Sequence, residues 1–239
     1  MKKKRDVSFF LFLLTLFFAP LAFGTTETWS MVMVELLVAL TCLLFFSPFC
    51  NKTITCYRVP GLLPLLLLLG WMLVQTLPLP VSMVRMIAPN IFQAYQPVLD
   101  LPGSHTVAGY FDTWIPLTVY RKGTLFEVVR VSSYVLFYVV SVQLLTNSRK
   151  LLITVQAVSA LGVGIAFLAI LQRVTAPDTL FWFRKLSEGK TAFGPWVYKN
   201  HYAGFMVMLC PLVVAQFLLN RPPMDRLETF REKIALPQA

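Results

Sequence analysis

The stretch LLITVQAVSALGVGIAFLAILQ, residues 151–172, contains no charged side chain, whereas Arg149 and Lys150 precede it and Arg173 follows it. A helix rises 1.5 Å per residue, so about 20 apolar residues cross the roughly 30 Å hydrocarbon core of a bilayer. An uncharged run of this length, with cations at both ends, predicts a membrane-spanning helix.

Five further stretches meet the same length rule, and the composition agrees with them. The chain is 57% hydrophobic and 13% charged, whereas soluble domains average about 45–50% and 25%. A soluble core of this size could not hide so much apolar surface. The sequence therefore predicts an all-α, polytopic transmembrane helical bundle of about six spanning helices, at 7–24, 29–49, 60–80, 124–146, 151–172 and 201–220.

The basic residues predict the orientation of these helices. With the amino terminus in the cytoplasm, the inner segments 1–6, 50–59, 147–150 and 221–239 carry twelve Lys and Arg. The outer segments 25–28, 81–123 and 173–200 are longer and carry eight, as the positive-inside rule requires. We therefore expect two long outer loops, 81–123 and 173–200, and a cytoplasmic tail at 221–239. The net charge of +10 follows from topology, and nucleic acid is not expected as a partner.

The first apolar stretch has a second interpretation. A basic segment, Lys2–Arg5, precedes it, and the small residues Ala22 and Gly24 stand at a spacing suited to signal peptidase. The run from Val7 to Phe23 is longer than a usual signal-peptide core, which favours an uncleaved helix. Both interpretations place Lys2–Arg5 in the cytoplasm.

The chain has no pattern typical of a metal or nucleotide site. Cys50 and Cys56 flank a short loop without the second ligand pair that zinc needs, and Cys42 and Cys210 lie in apolar runs. A Gly-rich phosphate loop is absent from the sequence. We therefore predict neither a metal nor a cofactor. His105, in the first outer loop, is interpreted as a surface residue.

Three charged residues fall inside predicted spans, where each costs about 2.5–3.5 kcal/mol near a helix centre. They are Glu35, Glu127 and Arg130, and the predicted topology places all three in the outer leaflet. Glu127 and Arg130 stand at i and i+3, so one interpretation is an ion pair on one helix face. The other is a polar cavity, open to the outer face, that admits an anionic headgroup. In the fifth span, small residues predict close helix packing: Ala157, Ala160, Gly162 and Gly164.

The loop 173–200 and the start of the last helix hold the most informative residues. Lysine and arginine side chains bind phosphate, and glycine adopts the backbone geometry of tight turns. The amino terminus of a helix attracts an anion through its free backbone amides. Arg121 and Arg130 lie near the outer face as well. The pattern predicts a diphosphate-binding site built from Arg173, Lys190, Lys199, Arg130 and Arg121, and shaped by Asn200, His201 and Gly194. The alternative is an ordinary interfacial helix start, with Asn200 as the cap and an aromatic belt.

The segment Ala192-Phe-Gly-Pro-Trp-Val-Tyr-Lys-Asn-His-Tyr-Ala-Gly-Phe205 resembles the signature of the O-antigen ligase/polymerase family. Tyr198 stands where the family more often has Asn. Two further stretches are similar to the family, in the same order along the chain: Phe23-Gly-Thr-Thr-Glu-Thr-Trp-Ser30 and Trp114-Ile-Pro-Leu-Thr118.

This resemblance implies a glycosyltransferase of the bacterial inner membrane. Such proteins move a glycan from an undecaprenyl-diphosphate carrier to lipid A core or another acceptor on the periplasmic side. They need neither metal nor nucleotide, because the carrier diphosphate is itself the leaving group. Partners implied are membrane lipid, the carrier-linked glycan, the acceptor and other polysaccharide-assembly proteins.

Family members usually have ten or more spans, and their catalytic residues, including a His, lie in a large outer loop of the second half. The chain therefore resembles the amino-terminal half of the family, and His201 is not interpreted as the general base. Two other functions stay open. One is a non-catalytic subunit of a polysaccharide-assembly complex. The other is a transporter, although the polar residues in the spans cluster in one leaflet.

Overall fold

A computed structural model of the protein describes residues 2–47, 57–99, 114–186 and 192–220. The described chain is mostly helical, with four short strands, and it divides into two compact units, Met1–Phe12 with Glu35–Thr146 and Leu13–Val34 with Asn147–Ala239. Its helices are α1 Lys2–Leu21, α2 Thr28–Phe46, α3 Leu62–Thr76, α4 Val81–Ile87, α5 Pro89–Leu99, α6 Arg121–Leu145, α7 Ser148–Thr175 and α8 Lys199–Leu219. Its strands are β1 Pro78–Pro80, β2 Trp114–Pro116, β3 Thr179–Leu180 and β4 Arg184–Lys185.

Four helices in the described ranges, α2, α6, α7 and α8, are long and apolar enough to cross a membrane. In the most apolar 18-residue part of each helix, between 6% and 28% of the residues are buried inside the protein. Large apolar side chains on these helices are exposed, among them Leu43, Phe167 and Val207. Water would make such exposure costly, whereas lipid covers it. The chain is thus an α-helical membrane protein.

The other two predicted spans form helices with different bounds. Helix α1 has 20 residues and ends at Leu21, and α3 has 15 residues, which is about 22 Å of helix. Helix α3 ends at Thr76 because Leu77 is extended and a proline follows, and proline disfavours helical geometry in the residue before it. Strand β1 then pairs antiparallel with β2. The predicted span 60–80 was therefore too long at its carboxyl end.

The bounds of the four long helices agree with the predicted spans to within three residues at each end. Polar residues extend α6 at its start and α7 at both ends by three residues, whereas α2 ends three residues before its predicted end. At the start of α7, the side chain of Asn147 accepts hydrogen bonds from the backbone amides of Arg149 and Lys150, at 3.0 and 3.2 Å. Asn147 thus caps the helix before its first apolar turn.

The segment predicted as the outer loop 81–123 has secondary structure and a small core of its own. Helices α4 and α5 and strand β2 enclose Val84 and Ile115, which are fully buried. The hydroxyl of Tyr95 donates to the carbonyl of Thr118 at 2.7 Å, and burial raises the pKa of Tyr95. His105, Cys50, Cys56 and the tail 221–239 lie outside the described residues.

Polar side chains of α6 hold the segment that leads into α3. The amide of Gln143 accepts from the backbone N–H of Tyr57 and donates to its carbonyl, both at 2.9 Å. The hydroxyl of Tyr138 donates to the carbonyl of Pro60 at 2.8 Å. Each bond satisfies a backbone group of the non-helical segment before α3.

Gly162 of α7 leaves room for the side chain of Leu209 of α8. A Cβ atom built on Gly162 would lie 2.6 Å from Cδ1 of Leu209, which confirms the predicted packing role of this small residue. Beside it, Nε2 of Gln216 donates to Oγ of Ser159 at 3.0 Å. Gly164 differs, because a Cβ there would meet nothing within 4 Å.

We expect Gly162→Val to destabilise the folded protein and Gly164→Val to leave its stability nearly unchanged. Both substitutions make the same change in helix propensity, but the first also forces Leu209 away from α7, and overpacking typically costs about 1–3 kcal/mol. Thermal unfolding in detergent micelles measures the difference between the two variants. Equal melting temperatures would show that α7 and α8 do not pack through Gly162.

Candidate functional site

The turn between α1 and α2 has an unusual backbone. Phe23, Gly24 and Thr25 all have positive φ, at 55°, 61° and 55°. Left-handed geometry costs about 1–2 kcal/mol at a residue other than glycine, and more where the side chain is β-branched, as in Thr25. The turn is held by side chains: Oγ1 of Thr25 donates to the carbonyl of Gly24 at 2.7 Å, and Oγ1 of Thr26 donates to that of Phe23 at 2.9 Å.

A second tight turn, Phe193–Trp196, precedes α8. Phe193 and Trp196 exchange both backbone hydrogen bonds, at 3.0 and 3.2 Å. Gly194 has φ of 57° at the first central position and Pro195 fixes a negative φ at the second, the signs of a type II′ turn. Gly194 lies against α7, where a Cβ would be 3.4 Å from that of Ala169. The sequence prediction that Gly194 shapes a turn is confirmed.

The two turns meet at Gly24 and Trp196. A Cβ built on Gly24 would lie 1.9 Å from the indole Nε1 of Trp196, so the ring lies directly on the glycine backbone. Trp196 is 5% exposed and packs on Leu161 and Ile165 of α7. The 23–30 and 192–205 segments, which lie far apart in the sequence, are therefore in contact.

Aromatic rings continue from Trp196 towards the start of α8. The Trp196 ring centroid lies 5.0 Å from that of Phe205 and 6.1 Å from that of Tyr202. The ring centroid of Phe193 lies 6.2 Å from that of Tyr202. These rings form a packed floor with few rotatable bonds, which we call the aromatic floor: Phe193, Trp196, Tyr202 and Phe205.

Arg173 lies at the edge of the aromatic floor. Its guanidinium carbon is 5.7 Å from the ring centroid of Phe193, within the range of a cation–π interaction. The side chain is exposed, in the last turn of α7. The ring therefore orients the guanidinium, while its hydrogen-bond donors stay accessible to an anion.

The first turn of α8 presents Lys199, Asn200 and His201, all exposed. The N-cap residue is Tyr198, with φ of −109° and ψ of 122°, so the interpretation of Asn200 as the cap was wrong. Asn200 is the second residue after the cap, within the first turn of the helix. The imidazole of His201 packs against the ring of Tyr198, at 5.6 Å between centroids. Lys190 lies outside the described residues.

An ion pair that the sequence did not predict lies beside the two turns. Nη1 of Arg184 is 2.8 Å from Oε1 of Glu27, and the guanidinium also lies 5.5 Å from the ring centroid of Phe23. Both charged side chains are more than a third exposed, so the pair contributes little stability, typically about 0.2–1 kcal/mol. Its main effect is to orient Arg184 next to the 23–30 segment.

The other predicted arginines belong to α6, in the other compact unit. Arg121 is exposed at the first residue of the helix, and Arg130 forms the predicted ion pair with Glu127, at 2.6 Å, which confirms the i, i+3 interpretation. Nine residues separate the two arginines, so at 3.6 residues per turn they project from opposite faces, about 13 Å apart along the axis. Helix α6 therefore does not bring them together, and Glu127 already neutralises Arg130.

No protein-family model matches the chain, and comparisons with curated proteins and with solved structures give no match either. The function has to be argued from the chemistry of the aromatic floor and the cations around it.

We expect Gly24→Ala to destabilise the protein by about 1–3 kcal/mol more than Gly61→Ala does. Both glycines have positive φ, 61° and 68°, so both variants acquire the same kind of backbone strain. Only at Gly24 does the new Cβ collide with a side chain, the indole of Trp196, whereas at Gly61 it meets nothing within 4 Å. Unfolding in micelles measures the two costs. If they are equal, Trp196 does not lie on Gly24.

Proposed function

We propose that this chain is a membrane glycosyltransferase of the O-antigen ligase/polymerase type, or the amino-terminal part of one. It transfers a glycan from an undecaprenyl-diphosphate carrier to lipid A core or another envelope acceptor. In this proposal the chain crosses the bacterial inner membrane about six times, with α1 and α3 added to the four long helices. Its amino terminus is cytoplasmic, and the aromatic floor lies at the periplasmic face.

One observation carries the proposal: the contact between Gly24 and Trp196 joins two of the three segments that resemble the family. The third segment, Trp114–Thr118, forms β2 and the turn after it in the other unit. Segments that serve one site must meet in space even when the chain separates them. A contact that tolerates no side chain at Gly24 links these two segments closely.

The proposed reaction requires stabilisation of an anion. An acceptor hydroxyl attacks the anomeric carbon of the glycan, the bond from that carbon to the diphosphate oxygen breaks, and the hydroxyl proton passes to a base. Negative charge grows on the departing diphosphate, and cations placed beforehand offset it without reorganising. Arg173 is oriented by Phe193, and Lys199 projects from the first turn of α8. These two carry the most weight, with Lys190 as a further contact.

Asn200 and His201 shape the site in this proposal. Both are exposed in the first turn of α8, where backbone amides and the positive end of the helix dipole also favour an anion. Asn200 supplies two amide donors for diphosphate or sugar oxygens. His201 supplies a ring nitrogen for hydrogen bonding, and the role of general base is not assigned to it.

A second function is favoured by a different observation. In the most apolar part of α8, 6% of the residues are buried, a smaller share than in any other long helix described. A non-catalytic subunit of a polysaccharide-assembly complex could bind its partner through this helix. Such a subunit tolerates the loss of exposed cations near the aromatic floor but depends on the packing of α7 against α8.

We expect Arg173→Ala and Lys199→Ala each to weaken binding of undecaprenyl diphosphate about tenfold or more, because a hydrogen bond to a charged group contributes about 1.5–3 kcal/mol. The measurement is a binding titration on protein in lipid nanodiscs. Undecaprenol, which has no phosphate, serves as the reference ligand and should bind the wild type and both variants alike. Glycan transfer in the host should fall without a fall in membrane abundance.

The matched control is Arg85→Ala. Arg85 lies 5.6 Å from the ring centroid of Phe92, so this variant also loses an arginine from an aromatic face, but in the segment around α4 and α5. It should bind the diphosphate like wild type. Unchanged binding and transfer in both Arg173→Ala and Lys199→Ala would refute the transferase site. If Gly162→Val then abolished glycan assembly, the non-catalytic subunit would be favoured.

A further inference from the structure

The hairpin formed by β3 and β4 carries an exposed aromatic tip. Thr179–Leu180 pairs antiparallel with Arg184–Lys185, and Phe181, Trp182 and Phe183 connect them. Leu180, at the base, is fully buried, whereas Phe183 is 74% exposed and Trp182 is 44% exposed. Exposed aromatic rings next to two cations are typical of protein surfaces at a membrane–water interface.

The hairpin is fixed to the carboxyl end of α7 by two side-chain hydrogen bonds. Nε2 of the fully buried Gln172 donates to the carbonyl of Thr179. The indole N–H of Trp182 donates to Oγ1 of Thr175 at 2.8 Å. The tip therefore lies level with the last turn of α7.

The length of α7 places that turn in the headgroup layer. The helix has 28 residues and is about 42 Å long, which exceeds the roughly 30 Å hydrocarbon core. Its uncharged part, 151–172, is about 33 Å long and is bounded by Lys150 and Arg173. Arg173 thus marks the boundary of the hydrocarbon, and the hairpin is attached within three residues of it.

The orientation of the tip is fixed as well. Phe181 and Trp182 have positive φ, at 49° and 65°, a geometry that aromatic residues rarely adopt without support. Phe181 packs edge-on against Phe23, at 5.6 Å between centroids, and Arg184 is paired with Glu27. These contacts hold Phe181 inwards, so Trp182 and Phe183 form the outward surface.

We propose that the β3–β4 hairpin is a membrane-interface anchor, in which Trp182 and Phe183 insert among the phospholipid headgroups beside the carboxyl end of α7. Lys185, exposed next to the tip, pairs with a lipid phosphate. The partner is the lipid of the surrounding leaflet, because the tip lies level with Arg173, where the uncharged part of α7 ends. The anchor fixes the height of Arg173 relative to the membrane surface, and it does not depend on the proposed transferase activity.

The test is a depth measurement with a nitroxide label at Phe183→Cys, in a chain whose four native cysteines are replaced by alanine, reconstituted in nanodiscs that contain phosphatidylglycerol. Frequent collisions of the nitroxide with oxygen indicate that it lies among the lipid acyl chains. Frequent collisions with a water-soluble nickel chelate indicate that it lies in water. We expect an oxygen-to-nickel collision ratio between that of the free label and that of Phe167→Cys. Phe167 is exposed within the uncharged part of α7 and provides the deep reference.

Two outcomes would overturn the anchor. A label as accessible to nickel as the free label would place the tip in water, and a label shielded from both reagents would place it against a protein partner or a second copy. Tryptophan quenching tests the same inference without cysteine substitutions. The fluorescence that wild type has and Trp182→Phe lacks should be quenched by phospholipids brominated near the headgroup, and absence of quenching contradicts the anchor.

Discussion

Hydrocarbon offers no hydrogen-bond partner to a peptide backbone, and this constraint determines most of the structure. Within the bilayer each span satisfies its own N–H and C=O groups, so the long apolar segments are helices. Two pairs of polar side chains within the spans satisfy each other, Gln216 with Ser159 and Arg130 with Glu127. Irregular backbone is confined to the ends of helices, where water or lipid headgroups are available. The two positive-φ turns and the aromatic floor lie in such places.

In the unit formed by Leu13–Val34 and Asn147–Ala239, a glycine leaves space for a large side chain both between two helices and between two turns. Gly162 admits Leu209 between α7 and α8, and Gly24 admits the indole of Trp196 between two turns. The hydrophobic effect does not drive helix association inside lipid, so contact depends on how closely the surfaces approach. Glycine gives the closest approach. The left-handed geometry at Gly24 adds a second reason for this residue, because a side chain there would be strained even in open space.

Sequence reasoning found the long helices because length, apolarity and flanking charge are local properties. It placed their ends within three residues, and it predicted the Glu127–Arg130 pair, because i, i+3 spacing defines a neighbour on a helix. It failed where structure depends on contacts distant in sequence. The core around Val84 and Ile115 and the pair of Glu27 with Arg184 have no periodic signal. For the site, local reasoning found the turn at Gly194, but it grouped Arg121 with Arg130, which helix geometry places on opposite faces.

The electrostatics of the candidate site favour an anionic ligand that arrives with its own lipid. Arg173 lies where the uncharged part of α7 ends, and the ring of Phe193 orients it; among the described residues, no carboxylate forms an ion pair with it. Arg184 and Arg130 differ, because Glu27 and Glu127 neutralise them. A free phosphate in water gains little from one exposed cation, since water screens the interaction. Under the proposed function, a diphosphate anchored by a long lipid is confined to the headgroup layer, which raises its effective concentration near Arg173 and Lys199, so that weak individual contacts would suffice to hold it.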